Sequence, residues 1–391
     1  MRKSGEYIVD FVILILIAIF LLSYFKPEYI FSDTITTGGD TPSHYLTLKY
    51  LKENLAPRGK ISGWLPGNFA GFPLFQFYFP LPFLTALFLN LFVCLPVAFK
   101  LITVIGIFTL PISTYIALRL FNYPFPAPVL GAIFTLPFLF MEANSMWGGN
   151  IPSTLAGEFA YSLGLSLMVL YTGTLFSGIK NGKYTIINGC ILFLTGLAHG
   201  YTLLFAVIFS SFFLITTKNF LRNLLYLLKI NTLAFCLLGF FIVPLLFFLP
   251  FTTPYNYVWV INSIFTVFPP ILLPFILLAV LTTVFILLKI IIGPKQEKEH
   301  RLFYLWYLIL SGLIFYFIAY RIGVVDIRFL PFSQFFLMIA GAISFFLMIK
   351  NLKGRSLIPF IALIFVILWV NYNVKFIPIW IKWNYTGFEN K

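Results

Sequence analysis

Apolar runs of about membrane length recur from one end of this sequence to the other. Of its 391 residues, 60% are hydrophobic and 10% are charged, whereas soluble domains carry roughly 25% charged residues. A helix needs roughly 20 apolar residues to cross a bilayer, and several runs approach or exceed that length. The sequence therefore predicts a single transmembrane domain over residues 1–391, an all-α polytopic membrane protein in contact with the lipid bilayer.

The net charge of +14 does not indicate a nucleic-acid partner. The basic residues lie at the ends of the apolar runs, where the positive-inside rule and anionic head groups account for them. Cys94, Cys190 and Cys236 fall inside apolar runs, without the spacing of a disulfide or a metal site. The sequence also has no Walker loop and no dinucleotide fingerprint, which argues against ATP-driven transport.

The basic residues also predict the topology. Arg2 and Lys3 place the N-terminus in the cytoplasm, and the charged loop 289–301 marks the same side. Both assignments hold only if one hydrophobic stretch, either 79–95 or 127–141, is re-entrant or broken. The prediction is then about 11 transmembrane helices and an external C-terminus. The predicted apolar runs are 8–25, 79–95, 101–119, 127–141, 154–178, 184–198, 200–217, 225–248, 264–290, 302–320, 329–349 and 356–374.

The longest polar stretch, residues 26–78, follows the first run and is predicted to form the first external loop. Residues 41–56 have the pattern of an amphipathic helix, which we expect to lie on the membrane surface. Asp40, after Gly38 and Gly39, has the position of an N-cap for this helix. Two interpretations stay open: Asp40 only caps the helix, or it is also a reactive carboxylate.

Other polar residues near the predicted outer face are candidates for a site. Glu158 lies about one turn inside a helix that follows the Gly-rich segment carrying Asn150. A carboxylate there needs a partner, which is either a buried hydrogen bond or a ligand. His44 and His199 either pack among apolar side chains or bind a substrate.

Two arginines in the last part of the chain also have two possible roles. Arg321 and Arg328 flank Asp326. They either pair with that carboxylate as ordinary surface charges, or one of them holds a phosphate, which suits the planar guanidinium.

Several motifs together resemble a known family of membrane proteins. They are Gly39-Asp40-x-x-x-His44, Trp64, Gly71-Phe-Pro73, Tyr78-Phe-Pro80-Leu81, Gly157-Glu158-Phe-Ala and Arg328-Phe-Leu-Pro-Phe. This pattern resembles the 6-pyruvoyl-tetrahydropterin-synthase-related membrane proteins, and it is similar to the YfhO-like relatives of the GT-C glycosyltransferase superfamily. The resemblance is strongest over residues 30–170.

The resemblance implies an inverting glycosyltransferase that takes a sugar from a polyprenyl-phosphate-linked donor to a cell-envelope acceptor, with its active site on the external face. It implies that Asp40 is the general base or a metal ligand, that Glu158 binds metal or substrate, and that Arg328 stabilises the departing lipid phosphate. The substrate-binding residues expected around them are His44, Asn150, His199 and Arg321.

The implied cofactor is a divalent cation, Mg or Mn, held by Asp40 and Glu158. Many GT-C enzymes have two adjacent acids in the first loop, whereas here the acid nearest to Asp40 is Asp33. The alternative function is a non-catalytic protein of cell-envelope assembly, which binds lipid-linked intermediates or transports them as a flippase. Such a protein needs the same lipid groove but no base.

Overall fold

Helices form almost all of the regular structure. The computed structural model describes residues 4–67, 70–215, 219–255, 257–292 and 300–389. Its α-helices are α1 (Ser4–Tyr24), α2 (Pro27–Ile30), α3 (Thr41–Tyr50), α4 (Leu81–Leu89), α5 (Leu95–Leu120), α6 (Ala127–Leu139), α7 (Ile151–Ser153), α8 (Phe159–Asn181), α9 (Thr185–Ala198), α10 (Gly200–Ser210), α11 (Phe212–Ile215), α12 (Phe220–Phe248), α13 (Ile264–Val267), α14 (Leu273–Ile292), α15 (His300–Ile318), α16 (Leu330–Ile349), α17 (Ile358–Asn373) and α18 (Ile377–Thr386).

Short strands and turns complete the described part of the chain. Strands β1 (Thr34–Ile35) and β4 (Phe388–Glu389) pair antiparallel, as do β2 (Gly63–Leu65) and β3 (Phe72–Leu74). Single π-helical turns lie at Leu51–Leu55 and Thr154–Glu158. The 3₁₀ turns are Ala56–Arg58, Leu249–Phe251, Pro270–Leu272, Ala319–Ile322 and Asp326–Phe329.

The helices confirm the predicted class of an all-α, multi-pass membrane protein. A helix lies within every predicted apolar run. Among the described residues, six helices are long and apolar enough to cross a membrane, and α17 with α18, which are bent by 77°, would make seven as one broken span. Shorter apolar helices are α6, α9, α10 with α11, and Pro270–Phe285, which consists of the 3₁₀ turn Pro270–Leu272 and the first part of α14.

The structure distinguishes between the two stretches that were candidates for a re-entrant segment. Residues 79–95 begin beside the first loop, where the Tyr78 hydroxyl meets His44 Nε2 at 3.2 Å. They end beside it too, where Cys94 Sγ lies 4.0 Å from Asp33 Oδ1. Helix α4 therefore enters and returns at one end of the molecule, which we call the first-loop end.

Helix α6, the other candidate, runs between the two ends. Just before it, Arg301 donates to the Asn122 carbonyl at 3.3 Å, at the end opposite the first loop. Just after it, Asn150 donates to the Met141 carbonyl at the first-loop end. All of α6 is buried. Protein surrounds this short helix, so neither its length nor Pro137 exposes polar backbone to lipid.

The first loop is packed on the protein rather than on the membrane. The predicted helix is present as α3 and the two turns after it, with Lys49, Lys52 and Glu53 exposed. Its apolar face is buried: Leu48 and Leu51 are 0% exposed and pack with residues of α4 and α5. The expectation that this face meets the bilayer is therefore wrong, because other helices cover it.

The C-terminal segment holds the first loop in place. Strand β4 pairs with β1, and the Thr37 amide donates to the Asn384 carbonyl at 2.7 Å. The sharp bend before α18 is fixed by Glu142, whose Oε1 accepts the backbone N–H groups of residues 375, 376 and 377 at 2.7, 2.5 and 2.9 Å. A carboxylate at a helix N-terminus is favourable because it satisfies amides that have no partner within the helix.

Candidate functional site

Asp40 is held by its backbone against the segment that carries Glu158. Its amide donates to the Ala156 carbonyl at 2.9 Å, and its own carbonyl accepts from the His44 amide at 3.0 Å, which starts α3. Gly39, with φ +47°, makes this approach possible, because a Cβ there would lie 2.1 Å from the Ala156 oxygen. The backbone therefore fixes Asp40 without using its carboxylate.

The carboxylate of Asp40 is free and exposed. The predicted side-chain cap is wrong: Asp40 has helical backbone angles (φ −88°, ψ −1°) and makes no capping hydrogen bond, whereas capping residues are usually extended. Within the part of the chain that the structure describes, we find no hydrogen bond or ion pair to this carboxylate. A carboxylate held rigidly and left open to solvent is suited to accept a proton from a ligand.

Glu158 lies directly beside Asp40. It ends the π-helical turn Thr154–Glu158, in which Gly157 has φ +118°. A Cβ on Gly157 would lie 2.9 Å from the Cβ of Asp40, so only glycine lets the two segments come this close. Single π-helical turns inside helices frequently occur at functional sites.

Glu158 is paired with Arg328, which comes from the 3₁₀ turn Asp326–Phe329. Arg328 Nη2 donates to Glu158 Oε1, and the two side chains are 16% and 15% exposed, respectively. Arg328 Nη1 is buried and has no hydrogen-bond partner among the described residues. A buried guanidinium nitrogen without an acceptor is costly unless a ligand supplies one.

Tyr78 lies close enough to all three charged groups for each of them to affect the pKa of its hydroxyl. Burial raises the pKa of its hydroxyl; Glu158 and Asp40 add to the increase, and Arg328 opposes it. Its hydroxyl forms a hydrogen bond with His44 Nε2, and burial lowers the pKa of His44 to about 4 despite the nearby carboxylate of Asp40. His44 is therefore neutral at neutral pH, and its hydrogen bond orients Tyr78.

An aromatic wall lies behind the pair of Glu158 and Arg328. The Tyr161 hydroxyl donates to the Arg328 carbonyl at 2.8 Å. The His199 ring packs between Tyr161 and Phe79, with centroid distances of 5.1 and 5.3 Å. His199 Nδ1 also accepts from the Tyr201 amide at 3.3 Å. His199 is thus a buried N-cap of α10 that supports the wall.

Two predicted substrate-binding residues lie outside this cluster. Asn150 is buried and its amide is occupied, since it accepts from the Ser153 amide and donates to the carbonyls of Met141 and Ala143. Arg321 is exposed and contacts its neighbour Tyr320. The structure therefore gives Asn150 a part in shaping the loop and leaves Arg321 at the surface.

Asp326 does not form the expected ion pair with an arginine among the described residues. It is 0% exposed, and its two oxygens accept the backbone amides of Trp259 and Ile327 at 2.8 and 2.7 Å. Asp326 thereby fixes the turn that carries Arg328, and the guanidinium of Arg328 pairs with Glu158 instead.

The described residues offer few donors for a metal ion near Asp40. The described residues contain no group of three or more His, Cys, Asp or Glu side chains placed to hold a metal ion. Asp40 and Glu158 offer two carboxylates, of which one is paired with Arg328. The divalent cation stays a prediction, and no step below depends on it.

Sequence reasoning did not identify three residues that shape the site. Tyr78 and Tyr161 lie in segments that it singled out, but phenol groups in an aromatic-rich chain gave no distinct signal. Asn384 donates to the Thr37 and Leu155 carbonyls and so joins the segments that carry Asp40 and Glu158. Nothing in the local sequence indicates a contact over so many residues.

Comparison with known proteins identifies the family. Residues 75–385 match the family model described as the 6-pyruvoyl-tetrahydropterin synthase related domain, a membrane protein. The chain belongs to this family. No curated protein matches the sequence.

The fold of this family member is also similar to that of an enzyme of known structure. The crystal structure of the Archaeoglobus fulgidus oligosaccharyltransferase in the apo form matches with a TM-score of 0.60 and 12% sequence identity. The match covers 98% of this chain and 57% of the other, so the chain spans a little over half the length of that protein. This likeness shows that the chain shares the fold of that oligosaccharyltransferase, and fold alone does not give function.

Proposed function

We propose that this protein is a membrane glycosyltransferase of GT-C type that transfers a sugar from a polyprenyl-phosphate-linked donor to the hydroxyl group of a cell-envelope acceptor. One observation carries the proposal: among the described residues, the exposed carboxylate of Asp40 has no partner and lies beside an ion pair whose buried Arg328 Nη1 lacks an acceptor. The first group is suited to take a proton, and the second to bind an anionic oxygen.

The proposed reaction is a single displacement. Asp40 accepts the proton of the acceptor hydroxyl while that oxygen forms a bond to the anomeric carbon. The bond from this carbon to the phosphate oxygen breaks, and the lipid phosphate leaves with the electron pair. Arg328 stabilises its negative charge. Because Arg328 holds Glu158, Asp40 is the carboxylate of this cluster that stays free among the described residues, which favours one step with inversion.

The other residues of the site position these groups. Glu158 orients the guanidinium of Arg328, so that Nη1 faces the phosphate. His44 and Tyr78 contact the substrate from the side of Asp40, and His199 supports the aromatic wall. A flippase would need the lipid groove alone and gives no reason for an exposed, rigidly held carboxylate beside an unsatisfied arginine.

The proposal includes an orientation in the membrane. In it, the four shorter apolar helices also cross the membrane, in addition to the six long helices and the bent pair of α17 and α18, for a total of about 11 crossings. The N-terminus is cytoplasmic, and the first-loop end with its site faces outward, where envelope acceptors lie.

The test is turnover in liposomes. The purified full chain, reconstituted with polyprenyl-phosphate sugars and candidate acceptors, is assayed for release of lipid phosphate. Asp40→Asn should lower the rate at least 100-fold, since general bases contribute roughly 10²–10⁴-fold. Its stability should be unchanged, because the carboxylate makes no cap.

Glu53→Gln is the matched control, since it removes an exposed carboxylate from the same loop. Its rate should equal that of the wild type. Full activity of Asp40→Asn would refute the assigned base. Tight donor binding without turnover for every acceptor would favour the carrier function instead.

A further inference from the structure

A second cavity lies at the first-loop end, away from the charged cluster. Its volume is about 810 Å³, and it lies between α1, α17 and α18. Phe20, Ile367 and Ile379 are among its apolar lining residues, while Lys26 and Lys382 bring positive charge. Its walls thus combine apolar side chains with two ammonium groups.

Helix α18 separates this cavity from the proposed active site. Pro378, Ile379 and Lys382 line the cavity. Trp383 and Asn384, about half a turn away around α18, line a smaller cavity of about 190 Å³ next to Gly38 and Gly39. The two cavities therefore lie on opposite faces of one helix.

The larger cavity lies at the level of the membrane where lipid head groups are found. Helix α1 ends at Tyr24 and α17 at Asn373, so the cavity lies where two apolar helices leave the bilayer. Amphipathic and basic side chains concentrate at this level. Ile379, on its rim, is 63% exposed, so an acyl chain can reach the cavity from the side.

The polar groups of the cavity are arranged to meet an anion. Asn371 Oδ1 accepts from the Tyr24 hydroxyl at 2.9 Å, which leaves the Asn371 amide hydrogens available. Lys382 has no ion pair within the described ranges, whereas Lys26 Nζ forms an ion pair with Glu28 Oε1 at 3.7 Å. Lys382 and Asn371 therefore offer the strongest donors, and Glu28 competes with an anion for Lys26.

We propose that this cavity binds an anionic glycerophospholipid, with the phosphate between Lys382 and Lys26 and an acyl chain along Phe20 and Ile367. Cationic side chains near a membrane surface attract anionic lipid, and the apolar walls retain the chain. The cavity is separate from the smaller one beside Gly38 and Gly39, because α18 stands between the two.

Native mass spectrometry of the full chain tests the proposal. The protein is released from nanodiscs that contain phosphatidylglycerol and phosphatidylcholine, and retained lipids are counted. The wild type should retain phosphatidylglycerol in preference. Lys382→Gln should weaken this binding roughly fivefold, and Glu28→Gln should strengthen it by freeing Lys26.

Two exposed residues of the first-loop helix give matched controls. Lys52→Gln and Glu53→Gln make the same charge changes away from the cavity and should leave lipid retention unchanged. Ser23→Trp, which fills the cavity and alters no charge, should abolish it.

Three results would overturn the proposal. They are unchanged phosphatidylglycerol retention in both Lys382→Gln and Ser23→Trp, equal retention of phosphatidylcholine, and equal effects of the control substitutions. Inorganic phosphate added as a competitor should not displace the lipid; displacement at low concentration would identify a site for free phosphate. None of these readouts depends on glycosyl transfer.

Discussion

The carboxylates of Asp40 and Glu158 lie close together because Gly157 packs against Asp40. Of the two, only Glu158 has a cationic partner among the described residues. The pair of Glu158 and Arg328 is largely buried, with 15% and 16% exposure. Removing one member of a buried pair leaves a charge without compensation, which typically costs roughly 3–5 kcal/mol. The stability of the site therefore depends on this pair, and its proposed chemistry depends on Asp40.

This dependence predicts the result of a double-mutant cycle. Arg328→Met should lower the free energy of unfolding by about 3 kcal/mol, because Glu158 then remains charged and buried. Adding Glu158→Gln should restore most of that loss. Denaturant unfolding in detergent micelles measures both, with Arg321→Met as the exposed control, which should change stability by less than about 0.5 kcal/mol. Additive losses in the double variant would show that the two residues do not interact.

His44 gives the protein a defined pH dependence. Burial lowers the pKa of His44 from 6.5 to about 4. Between these values the unfolded chain binds the proton more readily, so the contribution of His44 to stability is present above pH 6.5 and is lost as the pH falls toward 4.

Comparison with His44→Gln isolates this contribution. The wild type should lose up to roughly 3 kcal/mol more than the variant over this pH range. Thermal unfolding of both proteins at a series of pH values measures the difference. Parallel stability curves would mean that the imidazole titrates in the folded protein as it does in water.

Several residues of the site follow from the sequence, and the reasons differ. Asp40, Glu158 and Arg328 stand out because charges are rare in this chain, and the structure brings them together. The free carboxylate of Asp40 does not follow, because an acid before a helix normally predicts a cap. The loop role of Asn150 depends on backbone carbonyls that only the fold brings within reach.

At the scale of elements, the site is formed where the turn before α3 meets the π-helical turn before α8. Contact between these turns requires Gly39, since a Cβ would strike the Ala156 carbonyl at 2.1 Å. Gly59 has a similar backbone conformation, with φ +66°, but has open space around it. The two glycines thus separate the cost of backbone strain from the cost of steric contact.

Alanine at each position tests this difference. Gly59→Ala should cost about 1–2 kcal/mol from the left-handed backbone alone. Gly39→Ala should cost more and should also abolish transfer, because it moves Asp40 away from Glu158. Unfolding and lipid-phosphate release are measured on both variants. Equal stability and activity would show that the turn moves aside without consequence.

The sequence periodicity predicted where the helices lie better than it predicted what packs against them. The apolar face of α3 was correctly placed on one side, but an apolar face has the same pattern whether lipid or protein covers it. The bend before α18 had no local signal, since Glu142, which fixes it, is distant in sequence.

At the scale of the whole molecule, the path of residues 79–95 determines the side on which every later loop lies. Both ends of this segment contact the first loop, so a single crossing, α5, separates residues 26–78 from Asn122. If residues 79–95 crossed, Asn122 would lie on the side of the first loop.

Cysteine labelling in sealed vesicles measures this topology. After replacement of Cys94, Cys190 and Cys236 by alanine, Lys52→Cys and Lys382→Cys should react with an impermeant maleimide from one side. Asn122→Cys and Lys353→Cys should react from the other. Labelling of Asn122→Cys together with Lys52→Cys would refute the re-entrant path.

The bond from Asn384 to the Leu155 carbonyl, at 2.7 Å, joins residues that are 229 positions apart. During translation the ribosome makes Asn384 long after Leu155 has entered the membrane. At roughly 5–20 residues per second, the interval is roughly 10 to 45 s. Throughout that time the nascent chain has its first loop and Glu158 but lacks the helix that joins them. The contact between the two segments is therefore complete only once α18 has been made.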